Sequence, residues 1–165
     1  MRQNRLFLKM HYFNSPSLMI YKYLTILAAS FLFILTENAA AQGPSLPIIE
    51  LKAGMYRIEA ELADTPAARQ TGLMYRTFMP TNTGMLFVFP EKAIHCFWMR
   101  NTKLPLTIAF IDDDGKIVNL SDMEPETQNN HCPRGPVRFA LEMNQKWFAQ
   151  RALGPGTVIT GLPKR

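Results

Sequence analysis

Residues 84–115 read GMLFVFPEKAIHCFWMRNTKLPLTIAFIDDDG. Two apolar runs, 85–89 and 106–111, flank a mixed cluster, His95-Cys96-Phe97-Trp98-Met99-Arg100-Asn101-Thr102. The unbroken run at 85–89 predicts a strand covered on both faces, ended by Pro90-Glu91-Lys92. A second strand is predicted over 94–99 and a third over 106–111. Asp112-Asp113-Asp114-Gly115 supplies a hairpin turn into a fourth, 116–120. A core strand has no use for Arg-Asn-Thr directly after Trp-Met. A surface loop has no use for Phe-Trp-Met directly before Arg-Asn. The cluster therefore predicts a strand running out of the core into a site.

Outward from this stretch, turn signals alternate with short apolar segments. Residues 122–136 are polar with three prolines and read as a long loop. A strand at 137–143 follows, then a short amphipathic helix at 144–153 stopped by Gly154-Pro155-Gly156, and a last strand at 157–160. On the N-terminal side, Tyr56, Ile58, Ala60 and Leu62 alternate with Arg57, Glu59 and Glu61, the pattern of a half-buried strand. Asp64 or Thr65 caps a helix at 67–75 with Pro66 in its first turn. Gly72 inside it requires a packing reason or an early helix end. Residues 42–54 read as an N-terminal lead, and 55–161 as one mainly β domain. Many short strands with short connections predict antiparallel pairing in a β-sandwich or distorted, jelly-roll-like barrel with two short helices.

The first 41 residues stand apart. Lys22 precedes an uncharged apolar run, 23–35, and Ala39-Ala40-Ala41 follows. A basic start, a short apolar core and an Ala-x-Ala end describe a secretory signal peptide cut after Ala41. The run is shorter than the roughly 20 residues of a spanning helix. Met19 opens a more ordinary leader and is a candidate start. The expected location is periplasmic or secreted, with no membrane association after cleavage.

Charge follows the leader. Arg2, Arg5, Lys9 and Lys22 against Glu37 supply +3 of the total +5. Residues 42–165 hold 14 basic and 12 acidic side chains. No basic run remains that would neutralise several phosphates together, which argues against a nucleic-acid partner.

Cys96 and Cys132, an even pair in an oxidising compartment, read first as a disulfide. Free thiols and a metal site that adds His95 and His131 are the alternatives. Adjacent strand residues point to opposite faces, so His-Cys pairs converge poorly on zinc or copper. Trp98 and Arg100 would share one strand face with Cys96, with Phe97, Met99 and Asn101 on the other. An aromatic ring beside a guanidinium suits a sugar or a carboxylate. The competing reading buries Trp98 and pairs Arg100 with Asp112 or Glu142. Glu142, in an apolar strand, is expected on the solvent face or paired to Arg69, Arg76 or Arg100. The three aspartates 112–114 lack the spacing of a calcium loop and read as a solvated turn.

Four blocks resemble the DUF192 family: Arg69-x-x-Gly72-Leu73-Met74-x-Arg76; Gly84-Met85-Leu86-Phe87-x-Phe89; Phe97 to Thr102 with Pro105-Leu106 and Phe110-Ile111-Asp112; and Leu141-Glu142-Met143-Asn144, ending near Gly156. The resemblance spans about residues 55–160 and implies a compact, mainly β domain of sandwich or jelly-roll type. It carries no catalytic set and no cofactor. The family's terminal block often reads Gly-Asp, whereas Thr157 follows Gly156 here.

The functional expectation is a non-enzymatic domain that binds a small polar ligand or an envelope partner through Trp98, Arg100, Asn101, Asp112, Glu142, Arg69 and Arg76. Its rivals are a copper or zinc protein and a hydrolase using a carboxylate pair such as Asp112 and Glu142. N-terminal sequencing of the protein from an envelope fraction should begin at Gln42. An intact leader in the membrane would show an anchor instead.

Overall fold

The computed structural model describes residues 45–164, so the leader lies outside the described residues. Seven strands form one sheet: β1 (Ile48–Ala53), β2 (Tyr56–Ala63), β3 (Thr83–Ala93), β4 (Leu106–Ile111), β5 (Ile117–Met123), β6 (Val137–Asn144) and β7 (Ile159–Thr160). Their order is β5-β4-β6-β3-β2-β1-β7. β2 and β3 pair in parallel, and the other neighbours are antiparallel. The sheet curls until its two edges meet. Lys116 bridges Val158, and Ile117 and Thr157 share a 2.8 Å backbone hydrogen bond. The result is a distorted barrel, mainly β as expected.

The expected lead at 42–54 contains a strand. Ile48–Ala53 pairs along its whole length with β2 through a tight turn at Gly54, whose φ of 59° suits glycine. Its outward face mixes an exposed Ile48 with Glu50 and Lys52, so alternation alone is a weak signal there.

β2 reaches β3 through α1 (Pro66–Thr71), the only α-helix among the described residues. Thr65 caps it, its Oγ1 accepting from the Ala68 N–H at 3.2 Å. The helix ends at Thr71 rather than residue 75. Gly72 takes φ 49°, and a Cβ there would press on the Phe87 ring at 3.3 Å. Early termination and close packing thus have one cause. The expected helix at 144–153 is also absent. Lys146 and Ala152 adopt positive φ (69° and 53°), leaving turns and a single 3-10 turn at Ala149–Arg151. Trp147 and Phe148 are both buried, which a one-faced helix would not require.

Two cores use the two sheet faces. The first gathers Leu51, Ile58, Leu86, Ile111, Leu141 and Trp147. The second gathers Met85, Phe87, Ile108, Phe110 and Ala140 with Leu73, Met79, Met99 and Leu104 from covering segments. β4 is buried at every position, and β6 at all but its last. Both faces of the central strands are therefore dry.

The covering layer corrects two strand boundaries. β3 does not stop at Pro90; it continues to Ala93 through a register irregularity after Val88, a place where proline's missing donor is tolerated. Residues 94–99 form no strand. They cross the second sheet face and make one bridge, Phe97 with His131, through two 2.8 Å hydrogen bonds. The alternation still holds: Met99 is buried and Phe97 half-buried, while Cys96, Trp98 and Arg100 face outward.

Cys96 is bonded to Cys132 immediately beside that bridge. The bond closes a loop with a sequence separation of 36, for which unfolded-chain entropy predicts about 4 kcal/mol of stabilisation. Unreduced mass spectrometry should show two hydrogens missing. Reduction should lower the unfolding free energy by at most that amount and leave the sheet folded, as measured by far-UV circular dichroism in denaturant.

Candidate functional site

The covering layer does not fill the second sheet face completely. Between α1 and the 94–102 segment lies an open cavity of about 420 Å³. Its walls are largely aromatic: Phe87 and Phe89 from β3, and His95, Phe97 and Trp98 from the crossing segment. Phe97 packs edge-on against Phe87 and Phe110, at centroid distances of 4.9 and 5.9 Å. His95 stacks flat on Phe89 at 3.6 Å, its Nε2 3.1 Å from the Glu91 carbonyl. Trp98 lines the cavity yet is 50% exposed. Ile94, another lining residue, is also largely exposed.

Glu142 also lines this cavity. It belongs to β6 and faces Met85 of β3 and Ile108 of β4 across the ladders. Only 4% of it is exposed. Neither expectation for this residue holds: it is not on the solvent face, and no arginine reaches it. Arg76 pairs with Glu61 instead through Nη1 and Nη2, and that bonding raises the Arg76 pKa above its ordinary value. Arg69 donates Nη1 to the Asp64 and Val88 carbonyls and lies over the Phe89 ring at 5.4 Å. Arg100 is exposed and lies outside the cavity lining. Burial without compensation pushes the Glu142 carboxyl up to about 8. Its backbone is held closely too. A side chain on Gly84 would collide with the Glu142 carbonyl oxygen and the Met143 sulfur.

Of the predicted site residues, the fold brings Trp98, Arg69 and Glu142 to one cavity. Asn101 lies outside its lining and bonds to Tyr75. Its Nδ2 donates to the Tyr75 hydroxyl at 3.1 Å, while the Tyr75 N–H donates to the Asn101 carbonyl at 2.8 Å. Both residues take positive φ, 65° for Tyr75 and 58° for Asn101. This clasp ties the turn after α1 to the crossing segment. Asp112 belongs elsewhere: its Oδ1 accepts from the Asp114 and Lys116 N–H groups in the β4–β5 turn. Asp112 and Glu142 therefore do not form a carboxylate pair in this cavity. Among the described residues, no group of three or more His, Cys, Asp or Glu side chains could hold a metal ion. The His131 Nδ1 lies 2.8 Å from the Ser121 hydroxyl, and its Nε2 is buried without a partner. Phe87, Phe89 and His95 were missed from sequence as wall residues. Their apolar and aromatic character signals core, and only the path of 94–102 leaves space over them.

The class is a small curled β domain with a covered sheet face and a cavity that bears the buried Glu142. The chain belongs to the DUF192 family, described as an uncharacterised ACR, whose model matches residues 47–161. No curated protein matches the chain. A crystal structure of a "putative transcription regulator" from Sinorhizobium meliloti is similar at 33% identity and a TM-score of 0.68, covering 72% of this chain and 97% of that one. A protein of unknown function from Novosphingobium aromaticivorans is similar at 31% identity and a TM-score of 0.67, covering 69% of this chain and 85% of that one.

Glu142 gives a measurable pH signature. Its folded pKa, about 8, lies above the ordinary value of 4.5. Between these values the unfolded chain has lost the proton and the native protein keeps it. Stability therefore falls as pH rises through this window, by up to about 4–5 kcal/mol at 1.36 kcal/mol per unit. Denaturant unfolding at pH 5, 6.5 and 8 should show this fall in the wild type. The Glu142→Gln protein should show a correspondingly smaller one.

Proposed function

We propose that this chain is an exported, non-enzymatic binding domain whose small polar ligand occupies the cavity beside Glu142. One observation carries the reading. A nearly fully buried carboxyl lines an open cavity and has no hydrogen bond or ion pair within the described residues. Its oxygens open onto the cavity. A ligand that bonds to Glu142 would offset the desolvation that burial imposes on the carboxyl. The aromatic walls offer it apolar contact, and the half-exposed Trp98 stands where a ligand would enter. Cavities of this kind, mostly apolar with a few convergent polar groups, are the usual form of small-molecule sites.

Export is supported by the leader pattern and by the Cys96–Cys132 bond, since disulfides persist mainly in oxidising compartments. The regulator description of the Sinorhizobium protein is not carried over, because residues 42–165 contain no basic run suited to phosphates. A second reading, hydrolysis with Glu142 as general acid, draws on its near-neutral pKa. Asp112 stands outside the cavity, so that reading lacks the second carboxylate it was expected to use.

Protein purified natively from an envelope fraction should retain a small molecule detectable by mass spectrometry after denaturation. Trp98→Ala and Glu142→Gln should each lose it. Because Trp98 is half exposed, its truncation should cost only about 1 kcal/mol of stability. Equal retention by both variants would place the ligand elsewhere and sink the proposal.

A further inference from the structure

Resting on the reading of this cavity as a ligand site, we propose that it takes a small zwitterion with an apolar body. The cationic nitrogen would sit on the Glu142 carboxylate between the aromatic walls, and the anionic end would reach the Arg69 guanidinium.

Three observations converge on this class. First, the Glu142 carboxyl is unbonded, and its cross-strand neighbours Met85 and Ile108 are apolar. Donors for its lone pairs must then come from the ligand, and an ammonium is the strongest such donor. Second, Phe87, Phe89, Phe97 and Trp98 line the same space. Aromatic faces attract cations and accept apolar groups. Third, Arg69 lines the cavity, and its Nη1 donates to two backbone carbonyl oxygens, those of Asp64 and Val88. Carbonyls bond a guanidinium without neutralising it, so an anion remains favourable there.

The alternatives fit less well. A simple cation would share the cavity with Arg69 uncompensated. A simple anion would pair with Arg69 and accept the O–H of the protonated Glu142, but would bring no donor to the remaining carboxyl lone pairs. A polyol would find Gln70, Thr71 and Thr102 beside Arg69, His95 and Glu142, but would set its hydroxyls against rings and neutralise neither charged group. The volume of about 420 Å³ accommodates more than an ion, within the range for small organic ligands.

The titratable or charged side chains lining the cavity are Glu142, Arg69 and His95. β3 and β4 present Met85 and Ile108 opposite Glu142, and the turn after α1 contributes Leu73 and Met74. His95 is stacked on Phe89, with its Nε2 at the Glu91 carbonyl. In the empty cavity burial keeps Glu142 protonated at pH 7. An ammonium placed beside it favours the carboxylate. Binding therefore transfers the Glu142 proton to solvent.

The test uses three matched probes on the processed, disulfide-bonded protein at pH 7: L-phenylalanine, phenethylamine and 3-phenylpropanoate. Titration calorimetry in two buffers of different ionisation enthalpy gives affinity and proton count together. Phenylalanine should bind about tenfold or more tighter than either half-charged analogue, the effect of one charge-assisted bond. About one proton should be released per phenylalanine bound. Glu142→Gln should lose both the proton release and the preference over 3-phenylpropanoate. If that variant does not fold, the wild-type probe series and proton count still decide. Equal binding of phenylalanine and either analogue, or no proton release, overturns the zwitterion assignment. If no probe binds but native protein still retains a Glu142-dependent small molecule, the assignment falls and the ligand site stands. If no probe binds and nothing is retained, both readings fail.

Discussion

The paired hydrogen bonds between Phe97 and His131, locked by the Cys96–Cys132 bond beside them, are the constraint on which this domain depends. They hold the crossing segment against the second face of the sheet. β4 and β6 cannot leave that face to water, because their side chains are buried on both sides. A domain of this size with one curled sheet has few helices available as cover. Loop segments do the work here, and a loop needs fastening where a helix would supply its own hydrogen bonds. The disulfide and the bridge fasten one side of the crossing segment, and the Tyr75–Asn101 clasp fastens the other.

Fastened irregular segments pack less completely than regular elements. The gap left between α1 and the crossing segment is the cavity, and Glu142 is the side chain that gives it chemistry. Its near-neutral pKa follows from its place on a central strand, where burial removes water from the carboxyl. A pocket made this way has sheet residues at its base and an exposed rim at Ile94 and Trp98. Arg69 is placed by backbone carbonyls at the helix start and on β3, so its position is coupled to the fold rather than to any acidic partner.

The expected pairing of Glu142 with an arginine fails for a definite reason. Arg76 is taken by Glu61 on β2, and Arg69 by carbonyls. Charge complementarity along a chain identifies which residues can pair. It does not say which of several carboxylates lies within reach. Asp112 is a similar case. Its sequence setting, between an apolar strand and Asp-Asp-Gly, fits a turn, and its carboxylate is consumed there by backbone N–H groups.

Local chemistry by itself determined much of this protein. Alternation at 56–62, the unbroken apolar run at 85–89 and the mainly apolar segments at 106–111 and 137–143 specify strands, because burial on one face or two leaves a direct pattern in the side chains. Thr65-Pro66 set the helix start, Asp112 to Gly115 set a turn, and an even pair of cysteines pointed to their bond. Tertiary structure alone decided the parallel pairing of β2 with β3, the path of 94–102 and the space beneath it. Aromatic and apolar residues at 94–99 serve equally well in a strand or in a cover. The choice between them is made by which sheet positions are already occupied, and no local pattern records that.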